Sequence, residues 1–238
     1  MKMPELNLPT GIESRCSPDA ETTAIELAQE VTRALQAAIE QRGAASLAVS
    51  GGSTPVAFFE SLSQSQLDWS RVSVLLADER WVEESSQDSN TRLVREHLLQ
   101  GPAAAARYVN LKQSDGEAEA VQPRVEQALA EVPWPLDVLI LGMGNDGHTA
   151  SLFPDAPQLR EALTVESQRT MVMTPPSQSQ TRISLTLTAM ADARFTALHL
   201  RGDVKLATLK KAAESPHDIE AMPIRAFLKP GLTLFWSP

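Results

Sequence analysis

Nearly continuous apolar runs, set between amphipathic stretches, constrain this chain more than any other feature. Leu47-Ala48-Val49, Val72-Ser73-Val74-Leu75-Leu76-Ala77 and Leu136 to Leu141 are such runs. A strand with one wet face alternates in polarity, whereas a strand buried on both faces does not. Between the runs lie helical patterns. Ser17, Pro18 and Asp19 open a helix whose apolar positions Ile25, Leu27, Ala28, Val31, Leu35, Ala38 and Ile39 mostly keep a 3.6-residue period, and Gly43 ends it. Pro55 stands at the first turn of a short helix through Phe58, Phe59 and Leu62. Further helices are expected around Leu93 to Leu99, from Glu117 to Glu131 and from Asp203 to Glu214. Thr170 to Met173, Arg182 to Leu187, Phe195 to Leu200 and Leu232 to Phe235 have strand character. The alternation implies an α/β fold, with a mostly parallel sheet covered by helices on both faces. Strand signal resumes directly after the Pro/Ser/Gln segment Thr174 to Gln180, which therefore reads as an internal loop. A single domain over residues 1–238 is expected.

Charge narrows the function. Thirty acidic residues against 21 basic ones give a net charge of −9, so no basic surplus exists to neutralise nucleic-acid phosphates. A small anion needs only a few local cations and stays compatible. Cys16 is the single cysteine, which rules out an internal disulfide and fits a reducing compartment. The beginning of the chain, with Pro4, Glu5, Asn7 and Pro9, has no apolar stretch of the secretory kind. No window approaches about 18 consecutive apolar residues. The expectation is a cytoplasmic protein without a membrane span.

Chemistry concentrates in Leu141-Gly142-Met143-Gly144-Asn145-Asp146-Gly147-His148-Thr149-Ala150-Ser151-Leu152-Phe153-Pro154. This segment follows the strand Val138-Leu139-Ile140-Leu141, and loops at the carboxyl ends of such strands are where open α/β sheets bind ligands. Histidine titrates near neutrality, so His148, two residues from Asp146, is a ready general base. Gly142 to Gly147 formally matches the dinucleotide fingerprint Gly-x-Gly-x-x-Gly. A Rossmann turn feeds an uninterrupted helix, however, and Pro154 and Pro157 interrupt this one early.

Ser50-Gly51-Gly52-Ser53-Thr54-Pro55 lies between a strand and a helix. Exposed backbone N–H groups, two hydroxyls and a helix N-terminus make it a phosphate cradle, although a plain turn with a Ser or Thr N-cap gives the same pattern. Asp78-Glu79-Arg80-Trp81 ends another strand. Arg80 there suits a phosphate or carboxylate, and a solvated strand end with a local salt bridge is the competing reading. Arg182 begins a strand and Lys205 begins a helix after Gly202. His97, His199 and His217 are scattered without ligand spacing, so no metal site is indicated.

Taken together, Gly51-Gly52-Ser53-Thr54-Pro55, Asp78-Glu79-Arg80-Trp81-Val82, Asp88-Ser89-Asn90, Leu141 to Pro154, Arg182-Ile183-Ser184-Leu185-Thr186 and Gly202-Asp203-Val204-Lys205 resemble the glucosamine-6-phosphate isomerase/6-phosphogluconolactonase family. The resemblance implies a modified Rossmann-like sheet shared with glucosamine-6-phosphate deaminases and ribose-5-phosphate isomerases. Within the family this chain looks like the lactonases. Deaminases typically read Asp-Glu-Tyr where Asp78-Glu79-Arg80 stands, and they carry a further carboxylate after the histidine, where Thr149-Ala150-Ser151-Leu152-Phe153 has none.

What the resemblance implies is hydrolysis of 6-phospho-D-glucono-1,5-lactone to 6-phospho-D-gluconate in the oxidative pentose phosphate pathway. Glucose-6-phosphate dehydrogenase and 6-phosphogluconate dehydrogenase would be the metabolic neighbours. His148 would deprotonate water and Asp146 would orient it. Arg80, Lys205, Ser53 and Thr54 would hold the 6-phosphate. Asp78 would bind sugar hydroxyls or tune the site, and Arg182 or glycine-loop amides would stabilise the oxyanion. Gly51, Gly52, Gly144 and Asn145 complete the expected substrate-binding set. No metal, nucleotide or redox cofactor is required. A deaminase-type isomerase and a non-catalytic sugar-phosphate sensor are the alternatives.

Overall fold

The computed structural model describes residues 8–238; Pro4, Glu5 and Asn7, on which the reading of the chain's beginning partly rests, lie outside the described residues. Among the described residues, ten strands and seven α-helices run in the order β1 (Glu13–Cys16), α1 (Ala20–Arg42), β2 (Ala45–Val49), α2 (Val56–Ser63), β3 (Val72–Leu76), β4 (Asp78–Arg80), α3 (Asn90–His97) and β5 (Arg107–Val109). They continue with α4 (Ala118–Leu129), β6 (Val138–Leu141), α5 (Leu159–Thr164), β7 (Thr170–Met173), β8 (Arg182–Leu185), α6 (Leu187–Ala191), β9 (Phe195–Arg201), α7 (Asp203–Glu214) and β10 (Leu232–Ser237).

Seven strands form one sheet in the order β1-β10-β9-β6-β2-β3-β5, and every neighbouring pair is parallel. β2, β3 and β6 are buried at every position, so both faces of the central sheet are covered, as their apolar runs require. Asp19 caps α1 by accepting a hydrogen bond from the Thr22 N–H, and Gly43 terminates the helix. Of the apolar positions expected to face inward from α1, Ile25 is 44% exposed and lies outside the core.

Three strands lie outside this sheet. β7 and β8 do not join it; they form a separate antiparallel sheet with β4 in the order β4-β8-β7. The charged triplet Asp78-Glu79-Arg80 is thus a strand in its own right. β4 pairs with β8 so that Asp78 faces Ser184 and Arg80 faces Arg182. The small sheet stays tied to the large one through Ala77, whose N–H donates to the Val49 carbonyl and whose carbonyl accepts from the Leu185 N–H.

Connectivity decides where a ligand can sit. From β2 the chain proceeds outward through β3 to β5; from β6 it proceeds the other way through β9 to β10. The order therefore reverses between β2 and β6, and a crevice opens at such a switch point beyond the carboxyl ends of the strands. Ser50–Pro55 follows β2 and Gly142–Thr149 follows β6. Both chemically loaded loops flank the crevice. Among the described residues, no helix is long and apolar enough to cross a membrane.

Candidate active site

A cavity of about 300 Å³ occupies the switch point, within the size range of small-molecule clefts. Its lining includes Gly51, Gly52, Ser53, Thr54, Asp78, Arg80, Gly144, His148, Arg182 and Lys205. Residues scattered over more than 150 positions of sequence thus meet at one crevice.

His148 is held on three sides. Its Nδ1 lies 2.6 Å from Asp146 Oδ1, which also accepts the His148 backbone N–H at 3.1 Å. The ring stacks on Phe153, with centroids 3.9 Å apart and planes inclined by 25°. Gly144 packs against the ring edge; a Cβ there would lie 2.1 Å from His148 Cε1 and Nδ1, so only glycine fits. Burial raises the Asp146 pKa, but the hydrogen bond and charge of His148 outweigh it and bring the carboxyl down to about 2. The carboxylate is therefore ionised at neutral pH and accepts the Nδ1 proton. That fixes the tautomer in which Nε2 is bare and basic.

Asn145 does not reach the cavity. The Gly147 N–H donates to the Gly144 carbonyl, closing a tight turn whose two central residues, Asn145 and Asp146, are exposed. Asp146 is hydrogen-bonded to His148, whereas Asn145 is exposed and does not line the cavity.

Glu79 corrects the reading of a solvated strand end. It is 1% exposed, and no ion pair joins Arg80 to Glu79 or Glu83 among the described residues. Its carboxylate accepts the backbone N–H groups of Asn90 at 2.8 Å and Thr91 at 2.7 Å, and the Ser89 hydroxyl at 3.2 Å. A buried carboxylate at the start of α3 complements the helix dipole and locks that helix to β4. Asn90 follows from this placement. Its Nδ2 donates to the Asp78 carbonyl, and its Oδ1 presses on Gly51 so closely that a Cβ on Gly51 would lie 1.9 Å away. Arg80 Nη1 donates to the Asp88 carbonyl at 2.6 Å, which sets the guanidinium beside the same loop.

The Gly51–Thr54 loop is not a plain capped turn. Pro55 is the N-cap of α2 and makes no side-chain cap hydrogen bond, so neither Ser53 nor Thr54 spends its hydroxyl on the helix. Lys205, in the first turn of α7, is half-buried; burial lowers its pKa and Asp146 opposes that. It has no carboxylate partner within salt-bridge distance among the described residues.

Arg182 shares an aromatic neighbour with the histidine. Its guanidinium carbon lies 5.0 Å from the centroid of Phe153, the ring that also carries His148. Nη2 donates to Gln178 Oε1 at 2.9 Å, and Nη1 is 3.6 Å from Asp78 Oδ2. Asp78 Oδ2 in turn accepts the Ser151 hydroxyl at 2.5 Å. Burial lowers the Arg182 pKa, and Arg80 lowers it further while Asp78 raises it.

Asn90, Thr149, His199 and Arg201 also line the cavity and were given no site role from the sequence. His199 left one signal, a polar residue inside the apolar run Ala197-Leu198-His199-Leu200. Among the described residues no group of three or more His, Cys, Asp or Glu side chains could hold a metal ion.

With this geometry in place, known proteins supply an independent comparison. The model of the family described as glucosamine-6-phosphate isomerases/6-phosphogluconolactonase matches residues 18–236. A 6-phosphogluconolactonase of Pseudomonas aeruginosa is 46% identical over 239 residues, covering 100% of both chains. The crystal structure of a 6-phosphogluconolactonase from Shewanella baltica superposes with a TM-score of 0.93 at 41% identity, covering 98% of this chain and 100% of that one. A monomeric glucosamine-6-phosphate deaminase shares the fold, with a TM-score of 0.74 at 17% identity over 94% of this chain and 97% of its own.

Proposed function

The chain belongs to the glucosamine-6-phosphate isomerase/6-phosphogluconolactonase family, and from that premise we propose that it hydrolyses 6-phospho-D-glucono-1,5-lactone to 6-phospho-D-gluconate, with His148 as general base. The observation that carries the reading is the Asp146–His148 pair at 2.6 Å, with its tautomer set so that Nε2 is basic, inside a cavity that also holds Arg80, Arg182 and Lys205. A non-catalytic sensor has no need of a base fixed in this way.

In the proposed reaction, water gives a proton to His148 Nε2 as its oxygen bonds to C1 of the lactone. Negative charge moves to the carbonyl oxygen. Arg182, which packs on the same Phe153 ring as the imidazole, is assigned to meet it. The intermediate collapses by breaking the bond from C1 to the ring oxygen, and the imidazolium returns its proton to that oxygen. Asp146 stays ionised throughout and stabilises the imidazolium. Arg80, Lys205, Ser53 and Thr54 hold the 6-phosphate, while Asp78, fixed by Ser151, orients Arg182 or meets a sugar hydroxyl. No step calls for a metal, nucleotide or redox cofactor.

The lactonase reading also fits the segment after the histidine, where Thr149 and Ser151 stand and no further carboxylate is available for amino-sugar chemistry. As a cytoplasmic enzyme the protein would act between glucose-6-phosphate dehydrogenase and 6-phosphogluconate dehydrogenase. The deciding experiment follows freshly generated lactone by coupling to 6-phosphogluconate dehydrogenase. Product formation above the spontaneous rate is expected. Spontaneous decay unchanged by the protein, or ammonia released from glucosamine 6-phosphate, would overturn the proposal.

A further inference from the structure

His199 has no part in the chemistry above, yet it lines the same cavity and is only 6% exposed. It sits near the carboxyl end of β9, between β6 and β10 in the sheet. Its ring meets Phe58, on the first turn of α2, edge to face at 6.2 Å and 78°. That contact sets the imidazole beneath the helix that the Gly51–Thr54 loop opens. Nδ1 is shut off from solvent and has no hydrogen-bond partner among the described residues.

An orphaned N–H is rarer in a protein interior than an under-satisfied acceptor. The favoured tautomer therefore leaves Nδ1 bare and puts the proton on Nε2, the nitrogen left to face the cavity. Burial holds the imidazole pKa down at about 4, so the ring is neutral at physiological pH. It offers one N–H donor and brings no charge of its own.

We infer that His199 is a specificity-determining residue whose Nε2–H donates to a phosphate oxygen of the substrate, from below the Gly51–Thr54 loop. This rests on the sugar-phosphate reading of the cavity. A neutral donor suits the position, since Arg80, Arg182 and Lys205 already supply charge and a further buried cation would add repulsion whenever the site is empty. The assignment to Nε2 is specific enough to separate two conservative replacements. Glutamine can bring its amide nitrogen to the place of Nε2, whereas asparagine reaches only the place of Nδ1.

The test compares His199→Phe, His199→Gln and His199→Asn by calorimetry with 6-phosphogluconate and with gluconate. His199→Phe keeps the contact with Phe58 and should weaken 6-phosphogluconate by about 10-fold or more, the range for a hydrogen bond to a charged acceptor. Gluconate affinity should not change. His199→Gln should recover most of the loss and His199→Asn should not. In turnover the loss should fall on KM more than on kcat. Should a variant fail to fold, nitrogen NMR of the wild-type imidazoles gives a second reading: Nε2 of His199 should carry the proton and shift on adding inorganic phosphate. The inference is overturned by wild-type affinity in His199→Phe, by an equal loss for gluconate, by full rescue with asparagine, or by ring nitrogens indifferent to phosphate. Failure of the lactonase reading looks different. Lactone would then decay at its spontaneous rate while His199 still responded to phosphate.

Discussion

Arg80 and Arg182 stand directly opposite each other in the antiparallel ladder of β4 and β8, and the Nε of each is buried without a partner among the described residues. Like charges so placed oppose folding. Asp78, 3.6 Å from Arg182, offsets part of the repulsion, and an anion in the cavity would offset more. Stability held back in this way is exchanged for a pre-formed anion site.

Replacing Arg80 should therefore cost binding and not folding. Arg80→Met is expected to leave the ligand-free melting temperature unchanged or raised, and to shrink the upward shift produced by 6-phosphogluconate. Capture of the phosphorylated lactone should weaken by roughly 10- to 150-fold, as for a lost hydrogen bond to a charged group. Lys205→Ala should behave alike in binding, and both variants should lose preference for the phosphorylated lactone over plain glucono-1,5-lactone. Kinetics on the two lactones provide the check; an undiminished preference in both would move the phosphate pocket elsewhere.

His148→Ala should fold normally and lose roughly 10²- to 10⁴-fold in turnover, the usual contribution of a positioned base. The loss should be equal on phosphorylated and plain lactones, because the imidazole acts at C1 and not at the phosphate. Asp146→Asn should be milder or comparable and should displace the acidic limb of the pH–rate profile, since the carboxylate that stabilises the imidazolium is gone. Near-wild-type turnover of a folded His148→Ala protein would exclude the base assignment.

Gly144→Ala tests position apart from chemistry. The added methyl would lie 2.1 Å from the imidazole and 2.6 Å from Asp146 Oδ1, so the ring must leave its seat on Phe153. A displacement of about 1 Å can cost on the order of 10²-fold in rate. Turnover should fall steeply while the affinity for 6-phosphogluconate, set at the other loop, changes little. A variant as active as the wild type would show that the ring is not held where the structure has it.

How much of this was legible in the sequence depends on burial. β2, β3 and β6 announced themselves because a parallel strand covered on both faces must be apolar at nearly every position. α7 ran from Asp203 to Glu214 as its pattern required. β1 and β5 gave no such signal, since edge strands such as Glu13-Ser14-Arg15-Cys16 keep polar, exposed positions. β4 was hidden differently. Its three charged residues are placed by tertiary structure, with Glu79 on the start of α3 and Arg80 opposite Arg182, and no local pattern encodes that. In the site, sequence adjacency misled at Asn145, which shares the loop of His148 but points outward. Distance in sequence concealed His199, whose role depends on a strand order that propensity cannot supply.

The same buried histidine should leave a mark on stability. His199 has a pKa of about 4 in the folded protein, against an ordinary value near 6.5 in the unfolded chain. Between these values the unfolded state binds the extra proton, so stability rises with pH. The contribution is fully present above about pH 6.5, declines as pH falls, and is exhausted once pH has passed about 4. Its full size is on the order of 3 kcal/mol, because each pH unit between the two values is worth about 1.4 kcal/mol. Asp146 acts in a lower window. Its depressed value of about 2 adds stability above the ordinary carboxylate range, which is lost progressively as pH falls from that range through about 2. Denaturant unfolding of wild type and His199→Phe from pH 7.5 to 4 isolates the histidine. The wild type should lose stability across this interval more steeply than the variant, so the difference between them moves in the variant's favour as pH falls. Parallel curves would mean that His199 is solvated and titrates normally, which its enclosure behind Phe58 does not allow.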